Sequence, residues 1–372
     1  MKFPSPARVL ALALALVGAA VIYKNEGDPD ESRVLGGLLV VGGVAAILFR
    51  ETPGRRRAVE LTAVLVLVLA GGELMVRREN RLAQQAYADR LIRFVDDPLL
   101  RYHWKPDASC GEGTINDLGM LDGPRELQKP PGTLRVACLG DSVGGDCTLP
   151  RDNACAALEQ ILREERGGRP TEVLNFSVPG YNTLQEARAL EVRAMPFSPD
   201  AAVVLYVVND PYPDLAISHH LPGHFKFQHL LWSGARFAAA RISGGRLDPF
   251  GGLLTDFYEN PRAWDGVVVA GFDRIRAVAE PRAMPVVVAV FPLFLPDPLP
   301  EHRAIYPKVT REAERHGFIT LDLSEVAYKS EPLTALLKPS RDMIHPNAHA
   351  HRLAALAVAR ALLDRHPELR ER

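Results

Sequence analysis

The sequence predicts an α/β domain built on a parallel sheet covered by helices on both faces, preceded by about three N-terminal transmembrane helices. Two observations carry this prediction. From Leu134 onward, short apolar runs of strand length alternate with amphipathic helical stretches, the pattern of a sheet buried on both faces. The first 76 positions instead hold three dense apolar runs. The whole chain has 372 residues, 47% of them hydrophobic and 24% charged, with a net charge of -1. So even a balance provides no electrostatic footprint for nucleic acid, and no nucleic-acid partner is expected.

The apolar runs are 9–23 (VLALALALVGAAVIY), 34–49 (VLGGLLVVGGVAAILF) and 58–76 (AVELTAVLVLVLAGGELMV). A spanning helix needs about 20 apolar residues, with a range of roughly 17–25. Each run sits at or just below that length, and their close succession strengthens the assignment. The first run, with Lys2 and Arg8 before it and VGAA inside it, also has the parts of a cleaved signal peptide. Two further runs directly behind it favour a retained membrane region over 1–76. The loop KNEGDPDES is acidic, whereas RETPGRRR carries four arginines, which makes the second loop the cytoplasmic one. Residues 77–372 are then expected on the periplasmic or exterior side, although Arg77, Arg78 and Arg81 oppose that orientation. Glu60 and Glu73 lie near the ends of the third run, where interfacial placement is expected.

Residues 77–95 read as a charged helical stalk and 96–133 as an irregular lead-in with turn signals at DDP and KPPG. The domain proper is expected over 134–372. LRVACLG is its first strand, and NACAALEQILREER (153–166) its first helix. Strand EVLNFSV, helix LQEARALEVRAM and strand AAVVLYVV follow. After an insertion at 211–262 come helix WDGVVVAGFDRIRAVAE, strand PVVVAVFP, helix HRAIYPKVTREAERHG, strand FITLDL and the closing helix NAHAHRLAALAVARALLDRH.

Ligands of such sheets sit outside the carboxyl ends of the strands, so the polar residues there matter most. The first strand ends in Gly140-Asp141-Ser142, the second runs into NFSVPG with Gly180, and the third ends in Asn209-Asp210. After the fifth comes SRDMIHPN, with Asp342 and His345 three apart. Together these are the parts of acyl transfer. A serine hydroxyl is a weak nucleophile and needs a base, here His345. The imidazole needs a carboxylate, here Asp342, to fix its tautomer and stabilise its cation. The tetrahedral oxyanion needs preorganised donors, for which the Ser142 N–H at a helix N-terminus, the Gly180 N–H and the Asn209 amide are the candidates. Taken singly, each has a plainer reading: Ser142 as a helix cap, Gly180 as a turn, Asn347 as the cap of the last helix. Their joint occurrence at successive strand ends favours catalysis.

GDSVG also matches the G-x-S-x-G nucleophile elbow. The serine here follows the first strand of the alternation and the acid lies three residues from the histidine, so the match is read as accidental. The blocks LGDS, NFSVPG, VVND and DMIHPN, in that order, resemble the SGNH (GDSL-type) hydrolase superfamily, over residues 134–365. The resemblance implies a flavodoxin-like three-layer α/β/α fold and hydrolysis of esters or related acyl groups. It implies Ser142, Asp342 and His345 as the triad, and Ser142, Gly180 and Asn209 as the oxyanion hole. Two positions depart from the pattern: Val207 stands where a glycine is usual, and Ala350-His351 where glycine-histidine is common. His351 is therefore expected to be helix scaffold.

No cofactor or metal is expected. His219, His220, His224 and His229 crowd the insertion, but no carboxylate or cysteine stands among them at ligand spacing. The stretch FQHLLWSGARFAAARI beside them reads as an amphipathic cap. Of the four cysteines, Cys138 reads as a small buried side chain. Cys110, Cys147 and Cys155 are open to a disulfide outside the cytoplasm, with the pairing undetermined. The leading expectation is a membrane-anchored serine esterase of deacetylase type, whose substrate is an acylated small molecule, lipid or glycan. An O-acetyltransferase acting on envelope polysaccharide, and a non-catalytic glycan-binding protein on the same fold, are the alternatives.

Overall fold

The segment LRVACLG shows how the sheet forms. Leu134, Val136 and Cys138 point to one face, Ala137 and Leu139 to the other, and all are buried, so the strand needs cover on both sides. The computed structural model describes residues 86, 89–212, 253–295, 300–338 and 345–371. They belong to one unit, 86–218 with 236–372; a second unit, 1–85 with 219–235, lies outside the described residues. The three apolar runs, Glu60, Glu73, the four histidines of the insertion and the expected cap helix also lie outside them. Among the described residues no helix is long and apolar enough to cross a membrane.

In chain order, β1 (Ile92–Phe94) pairs antiparallel with β2 (Tyr102–Trp104), and β3 (Ser109–Cys110) with β4 (Gly113–Thr114). Then follow β5 (Leu134–Gly140), α1 (Ala154–Glu165), β6 (Thr171–Asn175), α2 (Thr183–Ala189), β7 (Ala201–Tyr206), α3 (Leu253–Glu259) and α4 (Ala270–Ala279). The chain closes with β8 (Val286–Val290), α5 (Pro300–Arg315), β9 (Ile319–Asp322) and α6 (Ala348–Arg365). Strands β5 to β9 form one parallel sheet in the order β6-β5-β7-β8-β9. This is the flavodoxin-like order, whose direction reverses at β5 and opens a crevice at the strand ends there.

Helices α1 and α6 cover one face of the sheet, packing on Val136, Cys138, Val203 and Val287. Helices α2, α4 and α5 cover the other, over Ala137, Leu139, Val204 and Val288. The α2–α4 contact is so close that a Cβ at Gly271 would lie 2.7 Å from the Thr183 carbonyl oxygen. Each predicted strand has its counterpart, but EVLNFSV ends as a strand at Asn175, leaving Phe176 to Gly180 as connection. The helix expected at 264–280 begins as a π-helix over Trp264–Val269.

The lead-in differs from expectation. Residues 86 and 89–91 are helical as expected, but from Ile92 the chain pairs β1 with β2 and β3 with β4 in place of the rest of the stalk and an irregular segment. Tyr102, Trp104, Cys110, Ile115 and Met120 are buried in the same core as α2 and α4. Their apolar side chains were too widely spaced to reveal a period. Arg135, wholly buried within β5, fastens this segment: it bonds the carbonyls of Glu126 and Leu127 and pairs with Glu172 at 2.6 Å. A buried guanidinium persists only with such partners.

The cysteines form two pairs, Cys110–Cys147 and Cys138–Cys155. Cys138 is thus not the inert side chain its apolar setting suggested. It projects from β5 onto the face that α1 covers, opposite Cys155 in the first turn of that helix.

Candidate active site

β5 ends at Gly140 and the chain turns at once. The Asp141 side chain accepts the Val143 N–H at 2.9 Å, and its carbonyl accepts the Gly145 N–H at 2.9 Å. This single turn does not continue as a helix. α1 begins only at Ala154, where Asn153 is the cap and accepts the Ala156 N–H at 3.0 Å. The expected helix N-terminus at Ser142 is therefore a turn capped by Asp141, whose short carboxylate folds back on the backbone. The capping work falls to the aspartate and leaves the Ser142 hydroxyl to other partners. Two glycines make room: a Cβ on Gly144 would sit 2.2 Å from Ser177 Oγ, and one on Gly145 2.9 Å from Pro179 Cδ.

The segment after β6 thereby lies against the nucleophile turn, with the Val178 N–H donating to the Gly140 carbonyl at 3.1 Å. Gly180 has φ of 82°, in the left-handed region that glycine occupies without strain. Two residues on, Asn182 starts α2 with a reciprocal capping box to Gln185. Past β7, Asn209 Nδ2 donates to Asp141 Oδ2 at 2.9 Å, and Ser142 Oγ reaches the same oxygen at 3.2 Å. The serine hydroxyl and the asparagine amide thus meet on one carboxylate oxygen.

His345 arrives from the far end of the chain. The bridge between Leu337 and Pro346 and the bond from the Lys338 N–H to the His345 carbonyl, 3.1 Å, set its backbone. Its Nε2 lies 3.0 Å from Ser142 Oγ, within reach for general-base transfer. Asn347 caps α6, accepting the Ala350 N–H at 3.0 Å. Asp342 lies outside the described residues. Ser142, Gly180, Asn209 and His345 are each half-buried, while Asp141, Val143, Tyr181, Val208 and Asp210 around them are buried.

His351 is fully buried on α6 against Phe291. Burial, with the nearby Lys338 and His345, pushes its pKa down to about 3, so it is neutral at ordinary pH. It stands in the scaffold.

Sequence reasoning did not assign a role to Asp141, read there only as part of the serine's motif, or to Glu186. Burial pushes the Asp141 carboxyl up, against the bonds from Asn209 and Val143 and the charge of His345, which pull it down. Behind it, Glu186 on α2 and Asp210 after β7 are wholly buried, and none of their carboxyl oxygens has a hydrogen-bond partner among the described residues. Burial and the Asp141 charge hold both well above the usual carboxylate range, and the Glu186 charge raises Asp210 further. The available signal was the helical spacing that puts Glu186 on the inward face of α2. Its charge argued the other way.

The GDSL-like Lipase/Acylhydrolase family matches residues 138–353, more than half of the chain. Among solved structures, LAE5, an alpha/beta hydrolase enzyme from the metagenome of Lake Arreo, Spain, is 17% identical. The alignment covers 62% of this chain and 94% of that one, with a TM-score of 0.40. Axe2, an acetylxylan esterase from Geobacillus stearothermophilus, is 14% identical over 62% of this chain and 93% of that one, with a TM-score of 0.37. No curated protein matches. The family match spans the turn that carries Ser142 and the histidine that reaches it, and the chain belongs to the GDSL-like lipase/acylhydrolase family of serine ester hydrolases.

Proposed function

We propose that this esterase is membrane-anchored, of deacetylase type, and removes ester-linked acyl groups from glycans or lipids of the cell envelope through an acyl-enzyme on Ser142. The 3.0 Å contact between Ser142 Oγ and His345 Nε2 carries the chemistry. The serine hydroxyl has one proton. When it points to Nε2, an oxygen lone pair is free to attack the ester carbonyl while the imidazole takes the proton. Asp342, three residues before the histidine, stabilises the imidazolium. The N–H groups of Ser142 and Gly180 and the free N–H of the Asn209 amide receive the oxyanion. The imidazolium then protonates the departing alcohol, and water, deprotonated by the same nitrogen, releases the acid.

The anchor is the apolar region 1–76. Two disulfides support a periplasmic or exterior location, because reducing cytosol does not keep such bonds. The test is p-nitrophenyl acetate turnover by the full chain in detergent, with Ser142→Ala alongside. Ser142→Ala is expected to abolish turnover and labelling by a fluorophosphonate probe; unchanged turnover in that variant refutes the mechanism. Acetyl groups passed to an added oligosaccharide instead of water would replace hydrolysis by O-acetyl transfer.

A further inference from the structure

The peptide that carries the Gly180 N–H has a second end, the carbonyl of Pro179. Tyr102, from β2 of the lead-in, donates its hydroxyl to that oxygen at 3.2 Å. It is the only hydrogen bond to the Pro179 oxygen among the described residues. Tyr102 is wholly buried and precedes the family-matched stretch 138–353. Its neighbours complete a strap along the outer side of the same segment. Trp104 Nε1 donates to the Ser177 carbonyl at 2.8 Å, and the Tyr181 hydroxyl donates back to the Tyr102 carbonyl. The Tyr102 and Tyr181 rings pack at 5.3 Å.

We propose that Tyr102 is a positioning residue for the oxyanion hole, acting through the Pro179–Gly180 peptide. The inference rests on the reading of Gly180 as an oxyanion donor. The described residues contain no cis peptide bond, and in a trans peptide the C=O and N–H point in opposite directions. A donor on the carbonyl behind therefore fixes the plane that aims the N–H in front. It also polarises that N–H, since hydrogen bonds in a chain strengthen one another by roughly 10–30%. The Tyr181 N–H bond to the Val178 carbonyl, 3.1 Å, closes the turn around this peptide, and the Tyr102 hydroxyl restrains its plane from the carbonyl end; Gly180, with no side chain, adds no restraint of its own. Trp104 holds the Ser177 carbonyl and Tyr181 the backbone of Tyr102 itself, whereas the Tyr102 hydroxyl holds the peptide that carries the donor.

Removing an oxyanion donor costs about 10²–10³ in kcat, and weakening one costs a fraction of that. Tyr102→Phe in the full chain keeps the ring and deletes only the hydroxyl. It is expected to lower kcat for p-nitrophenyl acetate about 3- to 10-fold, with KM within about twofold and affinity for a methyl boronic acid reduced in parallel. Tyr181→Phe is the matched control. It deletes a buried phenol from the same strap and should lower Tm comparably, with kcat changed by less than about 1.5-fold. Wild-type kcat in Tyr102→Phe, or equal losses of kcat in the two variants, overturns the positioning role. Ser142→Ala separates the two levels. Turnover that survives it overturns the esterase reading, whereas loss of turnover there beside an unaffected Tyr102→Phe overturns this inference alone.

Discussion

At Asp141, one carboxylate oxygen receives both Ser142 Oγ and Asn209 Nδ2, and the other receives the Val143 N–H. The aspartate can therefore set the turn that presents the nucleophile and the rotamer of the asparagine amide together. An Asn side chain has two N–H bonds; with one committed to Asp141, the other has a fixed direction. On the proposed reading of Asn209 as an oxyanion donor, whose bond matters only once the oxyanion forms, Asn209→Ala is expected to lower kcat about 10²- to 10³-fold with little change in KM. Asp141→Asn leaves one of three donors facing an NH₂ group. It should lower kcat about 10-fold or more, read by the same assay, with part of the loss arising from a loosened turn. The places of Ser142, Gly180 and Asn209 at the strand ends could be read from sequence because the apolar runs end abruptly in glycine or polar residues, and His345 was singled out by its spacing to Asp342. Asp141 was hidden by its neighbour: a residue inside a recognised motif invites no separate explanation. Tyr102 lay in a segment with no period at all.

The strands and helices of the layered domain were legible because burial on both faces leaves continuous apolar runs, and Asn153, Asn182 and Asn347 mark three helix starts. The lead-in was not. Its two- and three-residue strands carry too few side chains for alternation to show, and its order comes from distant partners such as Arg135 and Cys147. Cys110–Cys147 joins the β3–β4 pair to the loop that follows the nucleophile, across a separation of 37 residues. The chain-entropy model assigns a loop of that length about 4 kcal/mol. Cys110→Ala with Cys147→Ala is expected to lose about 2–4 kcal/mol in denaturant unfolding, and dithiothreitol should then have a smaller effect than on the wild type. Helix α6 carries a pH dependence of its own. His351 has a folded pKa of about 3 against about 6.5 when unfolded. Between those values the unfolded chain binds the extra proton, so stability falls as pH drops through that window. His351→Gln should flatten the decline of Tm from pH 6.5 to 4.

Across the whole molecule the opposite pH slope arises beneath the active site, where elements distant in sequence bring Asp141, Glu186 and Asp210 into one buried region. Glu186 and Asp210 keep their protons in the folded protein because burial and their neighbours oppose ionisation. The unfolded chain releases those protons above about pH 4. From there upward the native state binds more protons, so stability falls as pH rises until the folded pKa is passed. Each such carboxyl costs about 1.4 kcal/mol per pH unit over that window. Glutamine has the shape of protonated glutamate and has no proton to lose. Glu186→Gln should therefore gain stability over the wild type at pH 8 by clearly more than at pH 5, read as Tm at both values. An equal shift at the two pH values would mean that Glu186 ionises normally, reached by water that the packing of α2 on the sheet should exclude. Such a buried acidic group is hard to infer from sequence, since charge alone predicts exposure. Only the assembled three layers, with α2 packed on the sheet beside α4, make a neutral carboxyl the cheaper state. The proton that Glu186 retains removes one negative charge that would otherwise face Asp141.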